Sequence, residues 1–289
     1  MKAITRLDQN IKIVNDNRLT IGRVAKTMSP WKVKLIDFIL NRISFLKIGF
    51  TNRLLKRLED YRNGDFARIL LEELNITTEV YGLHHMVKDG PVTIACNHPG
   101  GGDIMAVVEA IDRIRKDIMV PANEIVCVRS IEEISVPVRM MGKNKIDKNV
   151  LHQSYKEGRV VLFFAGGKNS RYNEEGLLRD RKWRTTFLDF AQQYNTPIQL
   201  FRIDGKNSPL FYKVAAIRKK YSFLKNIPLE NLFQLRELTR STHMKLYLSN
   251  PFYYNTKNET EEQKREKADI LYNFLYEMSE TNLEFKQSI

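Results

Sequence analysis

The chain reads as an α/β protein: one largely parallel sheet flanked by helices and preceded by amphipathic helices. Three observations predict this. From about residue 78 onward, short apolar runs alternate with segments of helical spacing, the order that builds parallel sheets. Residues 30–74 instead carry a 3.6-residue apolar period. The 289 residues are 43% hydrophobic and 10% aromatic, enough for a sizeable core and too apolar for a disordered chain.

Residues 1–28 are mixed and polar, and predict a loose arm or a short helix. Ser29-Pro30 is a helix start, with serine as the cap and proline in the first turn. Trp31, Leu35, Phe38, Ile39, Ile43 and Leu46 then share one helical face. Between Pro30 and Leu58 the basic residues are Lys32, Lys34, Arg42, Lys47, Arg53, Lys56 and Arg57, and the only acid is Asp37. Such a stripe beside a basic face fits a helix lying in a membrane interface, and also a helix packed on its own domain. An arm and amphipathic helical region is expected over 1–75, and an α/β domain over 76–289. Strands are expected at 91–96, 125–128, 159–164, 197–203 and 244–249. Helices are expected at 104–116 and 149–157. Another is marked by Trp183, Phe187, Phe190, Ala191 and Tyr194. A last helix at 259–281 uses Ala268, Leu271, Leu275 and Met278, after a polar loop.

Lysine and arginine total 47 against 34 acids, a net charge of +13. That surplus points to nucleic acid, an anionic membrane surface or an anionic substrate. No helix-turn-helix, finger or stacking motif accompanies it, so nucleic acid is not expected. Cys96 and Cys127 both lie in strand-like apolar runs and read as buried free thiols. No ligand cluster predicts a metal. The first residues lack the apolar core of a signal peptide, and no stretch approaches the roughly 18 apolar residues of a spanning helix. The expectation is a cytoplasmic protein, peripheral on the cytoplasmic face of the inner membrane.

Residues 95–105, AlaCysAsnHisProGlyGlyGlyAspIleMet, leave a buried strand, pass through glycines and enter a helix. His98 would sit at the carboxyl end of its strand, where open α/β sheets meet ligands. Asp103 would sit at the helix start, near enough to turn back to the imidazole. A histidine can act as a base near neutral pH, and a carboxylate beside it fixes the imidazole tautomer. The glycines let the chain double back and a substrate approach the backbone beside Asn97 and Gly101. Asp103 is equally a good helix cap and His98 a possible turn histidine.

AsnHis, four residues and Asp resemble the signature of the glycerolipid acyltransferases, the family of lysophosphatidate-type acyltransferases. GlyLysAsnLysIleAspLys, 142–148, is similar to that family's second motif through Gly142, Ile146 and Asp147. Lys145 replaces its aromatic and Lys148 its phosphate-holding arginine, so an anion would be held as by a point charge. PhePheAlaGlyGlyLysAsnSerArg, 163–171, stands where the third motif should be. It resembles Phe-Pro-Ala-Gly-x-x-Ser-Arg of the bacterial branch named for hemolysins and for O-acyltransferases of ornithine and glycine lipids. Aligned on Phe164, Ser170 and Arg171, it has Ala165 and Gly166 in place of proline and alanine. A register one residue earlier aligns Ala165-Gly166 and misses the Ser-Arg pair. This strand end, with Gly166, Gly167, Lys168, Ser170 and Arg171, offers amides and positive charge to an anion or oxyanion. The Trp183 helix, a Pro197-containing strand and Gly205, Asn207, Ser208, Phe211 and Tyr212 resemble the same branch. Pro197 is expected in the acyl-binding wall.

The resemblance spans about 70–252 and implies an O-acyltransferase, 1-acylglycerol-3-phosphate acyltransferase-like, with His98 as base oriented by Asp103. The acceptor would be a lysolipid, either lysophosphatidate or a lyso amino-acid lipid. The donor would be acyl carrier protein (acyl-ACP) or coenzyme A (acyl-CoA) carrying the acyl thioester as co-substrate, with no cofactor. The alternative is a non-catalytic protein that binds anionic lipid on the same scaffold.

Overall fold

The computed structural model describes residues 17–23, 27–139, 146–221, 229–254 and 259–286. Helices α1 (Pro30–Arg42), α2 (Ile48–Arg57) and α3 (Asn63–Glu73) lead into a seven-stranded sheet. Its strands are β1 (Ile76–Tyr81), β2 (Val92–Cys96), β3 (Ile118–Asn123), β4 (Ser135–Val138), β5 (Val160–Phe164), β8 (Ile198–Asp204) and β9 (Thr242–Leu248). A small antiparallel ribbon joins β6 (Arg171–Tyr172) to β7 (Leu178–Arg179). The other helices are α4 (Asp103–Asp112), α5 (Lys148–Lys156), α6 (Thr186–Tyr194), α7 (Pro209–Lys220), α8 (Leu229–Glu237) and α9 (Glu261–Glu277).

The sheet order is β1-β9-β8-β2-β5-β3-β4. Every pairing is parallel except β8 with β9. Strand β2 lies between β5 and β8, buried at all five positions, as a central strand covered on both faces must be. Its residues alternate between two cores. Ile94 and Cys96 pack with Ala67, Leu71 and Val107 of α3 and α4; Ala95 packs with Leu151, Phe187 and Leu271 of α5, α6 and α9. The C-terminal ends of β5, β2 and β8 therefore deliver three neighbouring loops, 165–171, 97–102 and 205–208, to one edge.

The expected strand at 125–128 is a turn; the strand is β3, just before it. Asn123 Oδ1 accepts from Ile125 N (3.0 Å), a local bond that competes with the ladder. Arg23 then donates to the carbonyls of Ile125 and Cys127 at 3.3 and 2.7 Å. Cys127 is thus half-buried in a turn, while Cys96 is fully buried in β2; both are free thiols, and burial pushes the Cys127 thiol up to about 12. The helix expected to run to 116 ends at Asp112, and the last helix occupies 261–277. Thr260 caps it reciprocally with Gln263. Trp183 lies ahead of α6 rather than on it. Strands β1 and β4 and helices α7 and α8 are additions to the sequence reading.

Helix α1 faces the protein through Val33 and Asp37. Ser29 makes no side-chain cap; its carbonyl accepts from Lys32 and Val33. Trp31, Leu35, Phe38 and Ile39 are 49–63% exposed, and Ile43 is exposed as well, whereas Leu46 is buried. Asp37 accepts from Thr20 Oγ1 (2.5 Å) and Ile21 N (3.0 Å) and is buried, so the one acid of this stretch does not offset the lysines and arginines at the surface. Most of the arm at 1–28 lies outside the described residues. Among the described residues, no helix is long and apolar enough to cross a membrane.

Candidate active site

Gly100, Gly101 and Gly102 all have positive φ, +94°, +69° and +96°, and reverse the chain between β2 and α4. At Gly100 a Cβ would come within 2.4 Å of Asn207 Nδ2, so the turn is closed to any side chain there. The reversal brings His98 Nδ1 to 2.7 Å from Asp103 Oδ2. Asp103 Oδ2 also accepts from Gly100 N (2.7 Å), and its Oδ1 accepts from Ile104 N (2.8 Å). A carboxylate already taking two amide bonds acts as acceptor toward the ring, so Nδ1 carries the hydrogen and Nε2 the lone pair. Nε2 makes no hydrogen bond among the described residues. The His98 side chain is 14% exposed, that of Asp103 4%, and the Phe164 ring lies 4.7 Å from the imidazole. Burial opposes charging the imidazole, but the charge and hydrogen bond of Asp103, with Asp180 behind it, outweigh that and raise the His98 pKa above 6.5.

A second histidine–carboxylate pair differs in kind. His243 Nε2 meets Glu79 at 3.2 Å and its Nδ1 meets Thr77 at 2.8 Å, on the exposed β1–β9 edge. Both ring nitrogens are occupied, which leaves none for a substrate.

The other candidate residues divide into two groups. Some are committed to holding the loops. Asn97 spans to β8, donating to Ile203 O (2.8 Å) and accepting from Ile203 N (2.7 Å). Ser170 is buried; its Oγ donates to Asp180 Oδ1 (2.6 Å) and its amide to His98 O (2.8 Å). The amide of Gly167 donates to Phe164 O (2.8 Å), so it is occupied by the turn rather than offered to an oxyanion. Gly166 leaves room for Asp180, whose Oδ2 would stand 2.9 Å from a Cβ there. Gly101 is buried in the turn.

The cationic residues lie further out. Arg171 donates to the carbonyls of Asn169 and Ser170 (2.9 and 2.8 Å) and stacks on Phe211 at 4.7 Å. Burial, followed by the positive charges of Arg181 and Arg218 against the opposing pull of Tyr212, brings its pKa down to about 10. Lys168 is exposed on the same loop. Lys148 is exposed at the first turn of α5, behind the Asp147 cap, which accepts from Asn149 N (2.9 Å). That helix leads from β4 to β5, which puts its start on the same sheet edge as His98. Gly142 and Lys145 lie outside the described residues. Pro197, expected in an acyl wall, precedes β8 beside Thr93. That is the opposite end of β2 from His98, about 17 Å away at 3.3 Å per residue.

Two side chains that hold the turn were not singled out as site residues by the sequence. Asn207 donates to Pro99 O (3.0 Å), and its own amide is held by the Tyr212 hydroxyl (3.0 Å). Asp180 is the other; apart from Trp183, its partners lie ten or more positions away in the sequence, so no local signal marks it. Cavities of about 510 and 520 Å³ lie elsewhere, one around Arg115 at the N-terminal strand ends and one between α1 and α2. No cluster able to hold a metal occurs among the described residues.

Comparison with known proteins assigns the class. A family model described as "Acyltransferase" matches residues 39–280, and the chain belongs to this family of acyltransferases. Among curated proteins it is similar to the lyso-glycine lipid O-acyltransferase of Bacteroides thetaiotaomicron, 25% identical over 233 residues, covering 78% of this chain and 84% of the relative. It is also similar to that of Phocaeicola vulgatus, 23% identical over 267 residues, covering 88% and 94%. Among solved structures it aligns with the 1-acyl-sn-glycerophosphate (LPA) acyltransferase PlsC of Thermotoga maritima at a TM-score of 0.43 and 15% identity, over 85% of this chain and 98% of that one.

Proposed function

We propose that this enzyme moves a fatty acyl group from a thioester on acyl carrier protein or coenzyme A to the free hydroxyl of a lysolipid, with His98 as general base. The observation that carries this reading is the 2.7 Å His98–Asp103 bond, which leaves Nε2 as the free acceptor. The acceptor hydroxyl gives its proton to Nε2 as its oxygen attacks the thioester carbonyl. Asp103 stabilises the resulting imidazolium. Collapse of the tetrahedral intermediate breaks the C–S bond, and the imidazolium proton goes to the leaving thiolate. Arg171, Arg181 and Arg218 supply a cationic flank for an anionic group of acceptor or donor.

The names of the relatives favour a lyso amino-acid lipid over lysophosphatidate as acceptor, and the loss of the arginine at Lys148 agrees with that choice. The test is product formation by purified protein with acyl-ACP or acyl-CoA and a panel of lyso-glycine lipid, lyso-ornithine lipid and lysophosphatidate. Diacyl product from a lyso amino-acid lipid is expected; no product from any acceptor and donor contradicts the proposal.

Contact with the cytoplasmic face of the inner membrane belongs to the same proposal. The outward apolar face of α1 and its lysines supply hydrophobic and electrostatic attraction together. Phe45, in the turn that follows α1, packs on Phe233 of α8 (5.4 Å), and Glu237 of α8 binds Ser208 beside Asn207, which links the end of α1 to the catalytic turn. Replacing Leu35 and Phe38 together by glutamate is expected to weaken sedimentation with anionic vesicles at least about tenfold, as two large apolar contacts are lost. Unchanged sedimentation would remove α1 from membrane contact.

The pH profile has a defined sign. Only neutral imidazole accepts the proton, and Asp103 raises the His98 pKa. Activity is therefore expected to fall as pH drops through an apparent pKa above 6.5. An acid limb well below 6.5 would contradict this.

A further inference from the structure

The buried carboxylate of Asp180 joins the two loops that flank the imidazole. Its Oδ1 accepts from the backbone amide of His98 (3.2 Å) and from Ser170 Oγ (2.6 Å). Its Oδ2 accepts from Trp183 Nε1 (3.3 Å) and lies against Gly166. Three donors converge on it; burial raises its pKa above the ordinary carboxylate value, and these hydrogen bonds and the His98 charge oppose that rise. Its own backbone is held from α9: the Asp180 amide donates to the Tyr276 hydroxyl (2.8 Å), and the Tyr272 hydroxyl donates to Asp180 O (3.0 Å). Sequence positions 98, 166, 170, 183, 272 and 276 thus converge on this one residue.

We propose that Asp180 is a positioning residue for acyl transfer, holding the backbone amide of His98 while Asp103 holds its ring, and tying it through Tyr272 and Tyr276 to the C-terminal helix. The proposal rests on the reading of His98 as the base. Asp103 sets the tautomer and ring direction; Asp180 sets where the Cα of His98 stands. Three donors at fixed positions and the backbone of Gly166 beside them fit a carboxylate of this length, so a longer acid does not substitute for it.

The test uses the full-length enzyme with acyl donor and its accepted lysolipid. Asp180→Asn keeps the shape and one acceptor oxygen but removes the charge and opposes an NH₂ to Trp183 Nε1 in one rotamer or to His98 N and Ser170 Oγ in the other. The expected result is a folded protein with kcat lowered about 30- to 100-fold, the cost of an ångström-scale misplacement, and both KM values little changed. The acid limb of the pH profile should also move lower, since a negative charge near His98 is gone. The charged groups facing His98 are Asp103, Asp180 and Arg171, and the titratable groups facing Asp180 are His98, Cys96, Tyr272 and Tyr276. Loss of stability alone does not move that limb. Asp180→Glu is expected to recover little activity. Should Asp180→Asn fail to fold, Tyr276→Phe decides: kcat is expected to fall about threefold without a change in KM, and wild-type kcat there overturns the proposal. Wild-type kcat and an unmoved acid limb in folded Asp180→Asn, with His98→Ala inactive, overturn the role of Asp180 alone. Full activity in His98→Ala overturns the base itself.

Discussion

His98→Ala is expected to leave a folded protein whose acyl transfer is reduced about 10,000-fold or more, the upper range for removing a general base. The substitution deletes the lone pair at Nε2 and leaves the acceptor hydroxyl, a poor nucleophile while protonated, with no partner on the enzyme. It also strands the buried Asp103 carboxylate, but that group keeps two of its three donors, Gly100 N and Ile104 N, and Asn207 and Asp180 still hold the turn. Rate and stability therefore separate: thermal unfolding should shift by only a few degrees, while transfer is lost. The measurement is diacyl product by mass spectrometry beside a melting curve. Full activity would remove His98 from the mechanism.

Asp103→Asn should cost about 1,000-fold, for a reason that lies in hydrogen-bond arithmetic. Oδ2 of Asp103 faces two donors, His98 Nδ1 and Gly100 N, and Oδ1 faces a third, Ile104 N. An asparagine has one acceptor oxygen for the two positions. With its NH₂ at Oδ2, it opposes the amide of Gly100 and obliges His98 to switch tautomer, placing the hydrogen on Nε2 where the lone pair is needed. With its NH₂ at Oδ1, it opposes the amide of Ile104. Either rotamer leaves a buried donor unpaired, about 1–3 kcal/mol of stability, and the first also disables the base. Activity within tenfold of wild type would show that Asp103 serves only as a helix cap.

The His–Asp turn was legible in the sequence because its chemistry and its backbone demand fall within six consecutive residues. Three glycines in a row announce positive φ, and the residues on either side are the ones brought together. The central strands were legible because burial on both faces writes an unbroken apolar run. Edge strands lack that mark. β1 has only its first residue buried, and β4 contains Pro137. The run at 125–128 has strand composition, but the side chain of Asn123 and the guanidinium of Arg23 take the polar groups a ladder would use. Helix α7 carried the same Ser-Pro start as α1, in Ser208-Pro209, and there the serine does cap, accepting from Phe211 N. Asp180 stands among Arg179, Arg181, Lys182 and Arg184, a run that resembles solvated surface. Its burial depends on Ser170, Trp183 and two tyrosines more than ninety positions away, which no local period encodes.

Thiol release measured with acyl-ACP or acyl-CoA, with and without lysolipid, in wild type and in His98→Ala, tests the base role most directly. Wild type is expected to release thiol in step with diacyl product and only when acceptor is present, and His98→Ala is expected to release none in either case. Equal release without acceptor would make the protein a thioesterase, and acceptor-dependent release by His98→Ala would place the base on another residue.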